Sequence, residues 1–477
     1  MKNKNKTKIV CTIGPKTDDS ISIKKLIKNG MTMARLNGSH NTLDWHIRTI
    51  KLIRKIDPYL PIIFDLPGRK IRTAKSNQNY FFNKNETIIF TTNNKYKGNE
   101  KILVNYEKLH LDLKKRDTIL ADDGTLKFTV TSIKGNDIFC KSHLSGVLKP
   151  SKGINVPYIK MRSPLVSKKD ISILKMCKDQ GVDFVGVSFV DSGKQLKEVY
   201  KYLRGSCTEV IAKVENQFGL DNLESIVENS FGILIDRGDL GAETKISNIP
   251  LMQKKIIETA DKYGKPVIVA TEILHTMIEN PFPTKSEVSD IANAVLDGAS
   301  ALMLSGETAV GKYPFEACRL MQEVALTTEE YLCQNQIEIS QVKQNTSDVI
   351  AESIKTACLE LDISKIIAIT LSGFSARMIS LNRPVQDILV VTDGIEKSRQ
   401  LNLLWGVRSF VSNFEFKPTD AEGTKNALKD LYNNKILNKK DTVVVTAVKY
   451  PNPKVKTTMN FLEIHKIKDL VDIFSWD

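Results

Sequence analysis

Several apolar runs in this chain end in charge or hydroxyl. "IAKVEN" closes on Lys213 and Glu215, "FGILIDRGDL" carries Asp236 and Asp239, and "MTMARLNGSH" carries Arg35 and Asn37. "PIIFDLPG" carries Asp65, "PVIVATEIL" carries Thr271, and "SALMLSGET" carries Ser305 and Glu307. A buried strand residue has no need of charge, so ionic groups at successive strand ends point to a shared site. Asp65 precedes a glycine turn, where a strand hands a carboxylate to a ligand such as a cation. Five residues on stands Lys70, followed by Arg72. That lysine either spoils a cation site or takes the cation's place.

The elements that must gather these residues are legible as β-rich runs at 8–14, 31–40, 61–68, 183–190, 209–216, 231–240, 266–274 and 300–308. Most are separated by stretches of helical period such as "SIKKLIKNG" and "MQKKIIETADKYG". Strands alternating with helices predict a parallel (β/α)8 TIM barrel, whose strand ends meet on one rim. Residues 69–157 are too many for a loop and carry short alternating runs between Gly, Asn and Asp turns. They predict a small β-barrel or sandwich inserted at the rim as a lid. After about 345 hydrophobic strands and helices restart, predicting a separate open α/β domain. The expected organisation is a catalytic barrel at 1–68 and 158–345, a lid at 69–157, and a C-terminal α/β domain at 346–477 with regulatory or oligomer contacts.

The composition, 41% hydrophobic and 26% charged over 477 residues, is that of a soluble globular chain with a large core. No apolar run reaches the ~18–20 residues of a membrane span. The start lacks the apolar segment of a secretory signal and is too short for a transit peptide. Seven scattered cysteines without a CxxC pair fit reduced thiols and a cytoplasmic setting. The net charge of +14 raises nucleic acid as a partner. The lysines are dispersed, with no basic helix and no interleaved aromatics, so the expectation is no nucleic acid and no membrane.

Taken together, "TKIVCTIGP", "ARLNGSH", "KGINVP", "KVENQFGLDNL", "RGDLGAE", "NPFPTKSEVSDIANAVLDGASALMLSGETAVGKYP" and "LLWGV" resemble the pyruvate kinase family nearly end to end. The resemblance implies a barrel, an inserted β lid and a C-terminal α/β domain. It also implies transfer of the phosphoryl group of phosphoenolpyruvate to ADP, giving ATP and pyruvate, the last step of glycolysis. A homotetramer is what the family implies, and nothing in the residues alone shows it. The alternatives are a catalytically altered paralogue acting on another enolpyruvyl substrate, or a metabolite sensor.

By the same resemblance, Lys213 steadies the transferring phosphoryl group, and Glu215 and Asp239 hold Mg²⁺ or Mn²⁺. Oxygen donors from neighbouring strand ends suit such an ion. Gly238 and Asp239 open a helix whose amides receive the substrate carboxylate; Asp239 also fits as a simple cap. Thr271 is tied to protonation of the enolate. Its hydroxyl is a poor acid that fits a relay through water, or a plain bond to a strand-end carbonyl. Arg35, His40, Arg72 and Lys169 match positions facing phosphate and nucleotide.

Most of the family holds K⁺ with an asparagine, a serine, an aspartate and a threonine. The first three are Asn37, Ser39 and Asp65 here; the threonine is Leu66, and a nearby glutamate is Lys70. A branch of potassium-independent members shares this leucine and lysine, so Lys70 is expected to replace K⁺, which is then not required. At ~4 Å and an effective dielectric of ~20, one such charge is worth about 4 kcal/mol before desolvation. The alternative is a Lys70 that faces solvent on the hinge. Gly38 replaces a phenylalanine and is expected to loosen its turn, while Asp236 and Glu272 add acid near the site. "TLSGFSAR" resembles an effector loop, with Thr370, Ser372 and Ser375 as hydroxyl donors, or is simply a good turn. The matching segment "AVKYPNPKVKTTMN" lacks the usual glycines, which counts against the usual form of effector binding.

Overall fold

In the computed structural model, residues 5–75, 78–122, 124–159, 161–335, 346–412, 422–447, 459 and 461–476 are described. Eight parallel strands close into a barrel in chain order: Lys8–Thr12, Met33–Asn37, Ile62–Asp65, Phe184–Val187, Glu209–Val214, Gly232–Asp236, Val267–Ala270 and Ala301–Leu304. The first and last pair through Lys8↔Ala301 to Cys11↔Leu304. Every expected barrel strand is present.

Strand periodicity fixes which residues enter the site. The barrel interior is filled by Val10, Met33, Ile63, Phe184, Ile211, Leu234 and Ile268 with their neighbours. The alternate residues of the same strands, such as Ile62, Val185, Ala212 and Ile233, pack outward against the helices. Successive side chains alternate faces, so the residue two beyond each interior one also points inward, one layer higher. Two beyond Met33, Ile63, Ile211 and Leu234 stand Arg35, Asp65, Lys213 and Asp236. The sequence thus swaps apolar for ionic in one step, at the rim.

The helices around the barrel start where their caps dictate. Ser167 and Asp170 form a reciprocal capping box at the head of Lys168–Asp179, and Thr284 and Glu287 do the same for Lys285–Leu296. These boxes set where the chain turns back below the rim.

Between the third and fourth barrel strands lies a seven-stranded sheet running from Ile71–Arg72 to Ile102–Leu103. Its end strands continue into an antiparallel bridge between Thr73 and Val104, which curls the sheet shut as a small barrel. Phe82, Phe90 and Phe128 meet edge to face in its core. The C-terminal unit is a five-stranded sheet ordered Val407–Val411, Asp387–Thr392, Lys365–Ile369, Thr442–Ala447 and Phe461–Lys466. Its last strand is antiparallel and was not expected: "FLEIHK" mixes charge into a short edge strand, which blunts its hydrophobic signal.

The C-terminal unit is fastened to the barrel by a buried acid. Asp183, just before the fourth barrel strand, accepts from Arg399 Nε at 2.5 Å, Arg54 Nη2 at 2.6 Å and the Ile62 amide at 2.8 Å. Asp183→Asn leaves two guanidinium groups without their counter-charge. A destabilisation of about 3 kcal/mol is expected from urea denaturation midpoints.

Candidate active site

Lys213 is the centre of the rim. Its ammonium lies 2.6 Å from Glu215 Oε1, 3.3 Å from Asp236 Oδ2 and 3.6 Å from Asp65 Oδ2, and donates to Ser188 Oγ at 3.2 Å. Burial alone would strip its proton. Glu215, then Asp65 and Asp236, reverse that and hold its pKa well above the ordinary lysine value. The reverse pressure falls on the acids. Burial, followed by repulsion from Asp236 and Asp239, pushes Glu215 up to about 8 against the pull of Lys213. Burial and Asp236 push Asp239 up as well. Asp236 goes the other way: burial opposes its charge, but Lys213, Lys70 and Arg35 hold its carboxyl low.

Oxygens of Glu215, Asp236 and Asp239 all lie within 4.8 Å of one another. Hard oxygen donors on a rigid rim, two of them driven toward protonation by burial and then by neighbouring carboxylates, fit a small divalent cation. Glu215 is further oriented by the Phe189 amide, which donates to its Oε2 at 2.7 Å.

Arg35 donates to Asp65 Oδ2 through Nε at 3.0 Å and Nη2 at 2.8 Å, and to Thr12 Oγ1 through Nη1 at 3.1 Å. Asp65 therefore answers Arg35 and Lys213 through one oxygen, while its buried Oδ1 has no hydrogen-bond partner. Gly186 makes room for it: a Cβ there would stand 2.0 Å from Oδ1. The expected loosening at Gly38 is not found. A Cβ at Gly38 would meet Phe64 Cε1 at 2.7 Å and the Asp65 carbonyl at 2.8 Å, so the turn is tight because glycine is there.

Lys70 is turned inward. Its ion pair is with Asp239, both side chains largely shielded at 14% and 12% exposure, and not with Asn37, Ser39 or Asp65. Asn37 Oδ1 instead accepts from the Ser39 amide at 3.0 Å. Leu66 is buried in the core between barrel and helices. His40 is exposed at the end of the second strand. Partial desolvation, then the charges of Arg72, Arg35 and Lys169, push its pKa down. Arg72, Arg35 and Lys169 thus lend His40 a shared positive field, with Arg35 at the same time bonded to Asp65. Arg72 itself sits on the lid, where Nη1 donates to the Ser151 carbonyl at 3.3 Å.

Thr271 and Glu272 both adopt left-handed backbone, at φ 67° and 54°. That costs about 1–3 kcal/mol per residue and is worst for a β-branched side chain. Thr271 Oγ1 donates to the Ala270 carbonyl at 2.6 Å and accepts from the Gly238 amide at 2.9 Å. The strand-end bond and the link to the helix start are therefore made by one hydroxyl. Arg237, which the sequence did not single out, clamps the strain. It pairs with Asp290 through two bonds at 2.7 and 2.6 Å and donates to the Thr271 carbonyl at 2.9 Å. Ser188 was also missed, although it lies two residues beyond Gly186 and so obeys the same inward step. Glu307 accepts from the Ser305 amide at 2.7 Å and the Leu274 amide at 3.3 Å, holding two strand ends from behind.

Two hydroxyls of the C-terminal loop are spent locally, and the buried Ser375 Oγ has no hydrogen-bond partner among the described residues. Thr370 Oγ1 accepts from Gly373 N at 3.0 Å and Ser372 Oγ from Phe374 N at 3.3 Å, while Ser375 is buried. Residues 448–458 and 460 of the glycine-poor segment lie outside the described residues.

The description "Pyruvate kinase, barrel domain" matches residues 4–318, and "Pyruvate kinase, alpha/beta domain" matches 348–465. The chain belongs to the pyruvate kinase family. Among relatives called pyruvate kinase, that of Borreliella burgdorferi is 35% identical, covering 98% of each chain. That of Bacillus licheniformis is 36% identical, covering 98% of this chain and 81% of its own. A crystal structure of a pyruvate kinase from Cryptosporidium parvum aligns with a TM-score of 0.85 at 31% identity, over 97% of this chain and 96% of that one. Among the described residues, no helix is long and apolar enough to cross a membrane.

The lid of this pyruvate kinase family member touches the barrel through a titratable bond. Asn155 of the lid donates to Glu243 Oε1 at 3.0 Å, and burial pushes Glu243 up to about 7. The folded state therefore holds a proton that the unfolded chain releases near the ordinary glutamate value. Stability should fall as pH rises from about 4.5 to 7, by on the order of 3 kcal/mol, and then level off. Glu243→Gln should remove that slope, which denaturation midpoints at pH 5 and 8 will read.

Proposed function

We propose that this chain works as a pyruvate kinase, moving the phosphoryl group of phosphoenolpyruvate onto ADP to give pyruvate and ATP. The observation that carries the reading is the Lys213 side chain held within 3.6 Å of three carboxylates at the rim of the barrel. Such transfer proceeds through a loose, charge-dispersed arrangement, so the protein's task is positioning and compensation of negative charge. Lys213 and Arg35 supply fixed positive charge to the equatorial oxygens. Neither needs to reorganise, because Asp65 already locks both.

Glu215 and Asp239, with Asp236 beside them, would hold Mg²⁺ or Mn²⁺. When bound, that ion adds positive charge at the phosphoryl oxygens. His40, Arg72 and Lys169 receive the nucleotide phosphates. Arg72 lies on the lid, so lid closure would bring its charge onto the nucleotide. The helix opened by Gly238 and Asp239 receives the substrate carboxylate, which must share the Gly238 amide with Thr271. Thr271 relays a proton to the enolate through water, from a backbone geometry fixed by Arg237.

Potassium is not required in this reading. Leu66 has no side-chain oxygen to give, and Asp65 is already neutralised by Arg35 and Lys213. Lys70, turned in beside the acids and paired with Asp239, supplies the monovalent charge. Gly38 fits its turn and Asp236 balances Lys213, so neither argues for an altered paralogue.

Pyruvate formation from phosphoenolpyruvate should require ADP and a divalent ion, and should not change when K⁺ is replaced by a large organic cation. Strong K⁺ dependence would contradict the role of Lys70. Lys213→Met should cut turnover at least about a thousandfold while leaving circular dichroism intact.

A further inference from the structure

We propose that Lys70 is a positioning residue that competes with the divalent cation for Asp239 and thereby ties cation binding to the hinge of the lid. The inference rests on the reading of Glu215 and Asp239 as cation ligands, and adds to it a tethered counter-charge that must step off Asp239 while its charge stays at the rim.

Four observations carry it. Lys213 is committed to Glu215, Asp236 and Asp65, which leaves Asp239 to be balanced by another charge. That charge is Lys70, whose ammonium pairs with Asp239 inside a shielded pocket. Lys70 is also the residue before the first lid strand, Ile71–Arg72. It stands between a barrel anchor and a lid anchor: Arg69 is fixed to Asp191 at 2.5 Å, and the Lys70 carbonyl accepts from Asn105 of the lid at 3.3 Å. Finally, the ammonium that pairs with Asp239 already faces an aromatic ring that can keep it. The Phe189 ring centroid lies 5.7 Å away, and the Phe189 amide is bonded to Glu215.

Asp239 cannot serve an ammonium and a divalent ion equally, since the two cations repel at contact distance. The coupling is therefore reciprocal: loading the acids weakens the hold of Lys70, and holding Lys70 weakens the loading. Because this lysine's backbone starts the lid, its release frees the hinge on the barrel side. A cavity of about 400 Å³ adjoins it, lined by Lys70, Ile71, Ile154, Phe189, Phe218 and Glu243. It gives the side chain room to move without dragging the acids with it.

The test uses the full chain, freed of metal and without substrates. Free Mn²⁺ is followed by electron paramagnetic resonance, and amide hydrogen exchange is followed across the hinge residues 69–75 and 153–157. Lys70→Met should bind Mn²⁺ roughly tenfold tighter than the native chain, and Lys70→Gln should do the same. Lys70→Arg, which keeps the charge, should stay near the native value. Mn²⁺ should speed hinge exchange in the native chain and leave it unchanged in Lys70→Met. Equal Mn²⁺ affinity in the native chain and both neutral variants, or the same hinge response in all, would overturn the proposal. Asp239→Asn separates the layers. If it abolishes Mn²⁺ binding while the lysine variants change nothing, the cation site stands and the coupling falls. If it binds Mn²⁺ as the native chain does, the cation site itself falls and takes the coupling with it.

Discussion

A buried ammonium cannot stay charged alone, and the rim of this barrel is built around that constraint. Removing water from Lys213 favours its neutral form, while three carboxylates within 3.6 Å restore the charge. Those carboxylates, equally deprived of water, need the lysine in return. The arrangement is self-consistent only when all members are in place, so each departure from ordinary strand packing nearby has a reason. Gly186 is bare because Asp65 lies across it. Ser188 spends its hydroxyl on the Leu66 carbonyl, at 2.9 Å, while receiving Lys213.

The balance is incomplete, and the deficit points to the ligands. Glu215 and Asp239 are both driven toward protonation, first by burial and then by neighbouring carboxylates, and a divalent cation would offset both. Partial burial, then the charges of Arg72, Arg35 and Lys169, discourage His40 from protonating. A polyanion with its counter-cation suits a rim that carries both signs of charge. The backbone strain at Thr271 and Glu272 sits on the same rim and is held by a two-pronged Arg237–Asp290 pair, as expected where geometry is kept for function rather than stability.

Most of this was legible in the sequence because the period-2 rule does not depend on context. Once the runs ending at Arg35, Asp65, Lys213 and Asp236 are read as barrel strands, their inward aim follows from Met33, Ile63, Ile211 and Leu234 two residues earlier. What was not legible depends on contacts between distant segments. Nothing in "RGDLGAE" announces that Arg237 will reach Asp290, because the partner lies on another helix 53 positions away. The fit of Gly38 was misjudged because its neighbour, Phe64, belongs to the adjacent strand. The immediate partner of Lys70 could not be read either. Asp65 is close in sequence, but the loop carries the ammonium across the rim to Asp239.

The central claim is that carboxylates, not solvent, keep Lys213 charged. It is tested most directly by nitrogen NMR of chain labelled with ¹⁵N at the lysine side-chain nitrogen, with Lys213 assigned by its loss in Lys213→Met. Titrated upward in pH, the Lys213 ammonium should keep its proton beyond the point where exposed lysines have released theirs. A Lys213 that deprotonates with or before them would show burial prevailing over its three acids, and the account of this rim would be wrong.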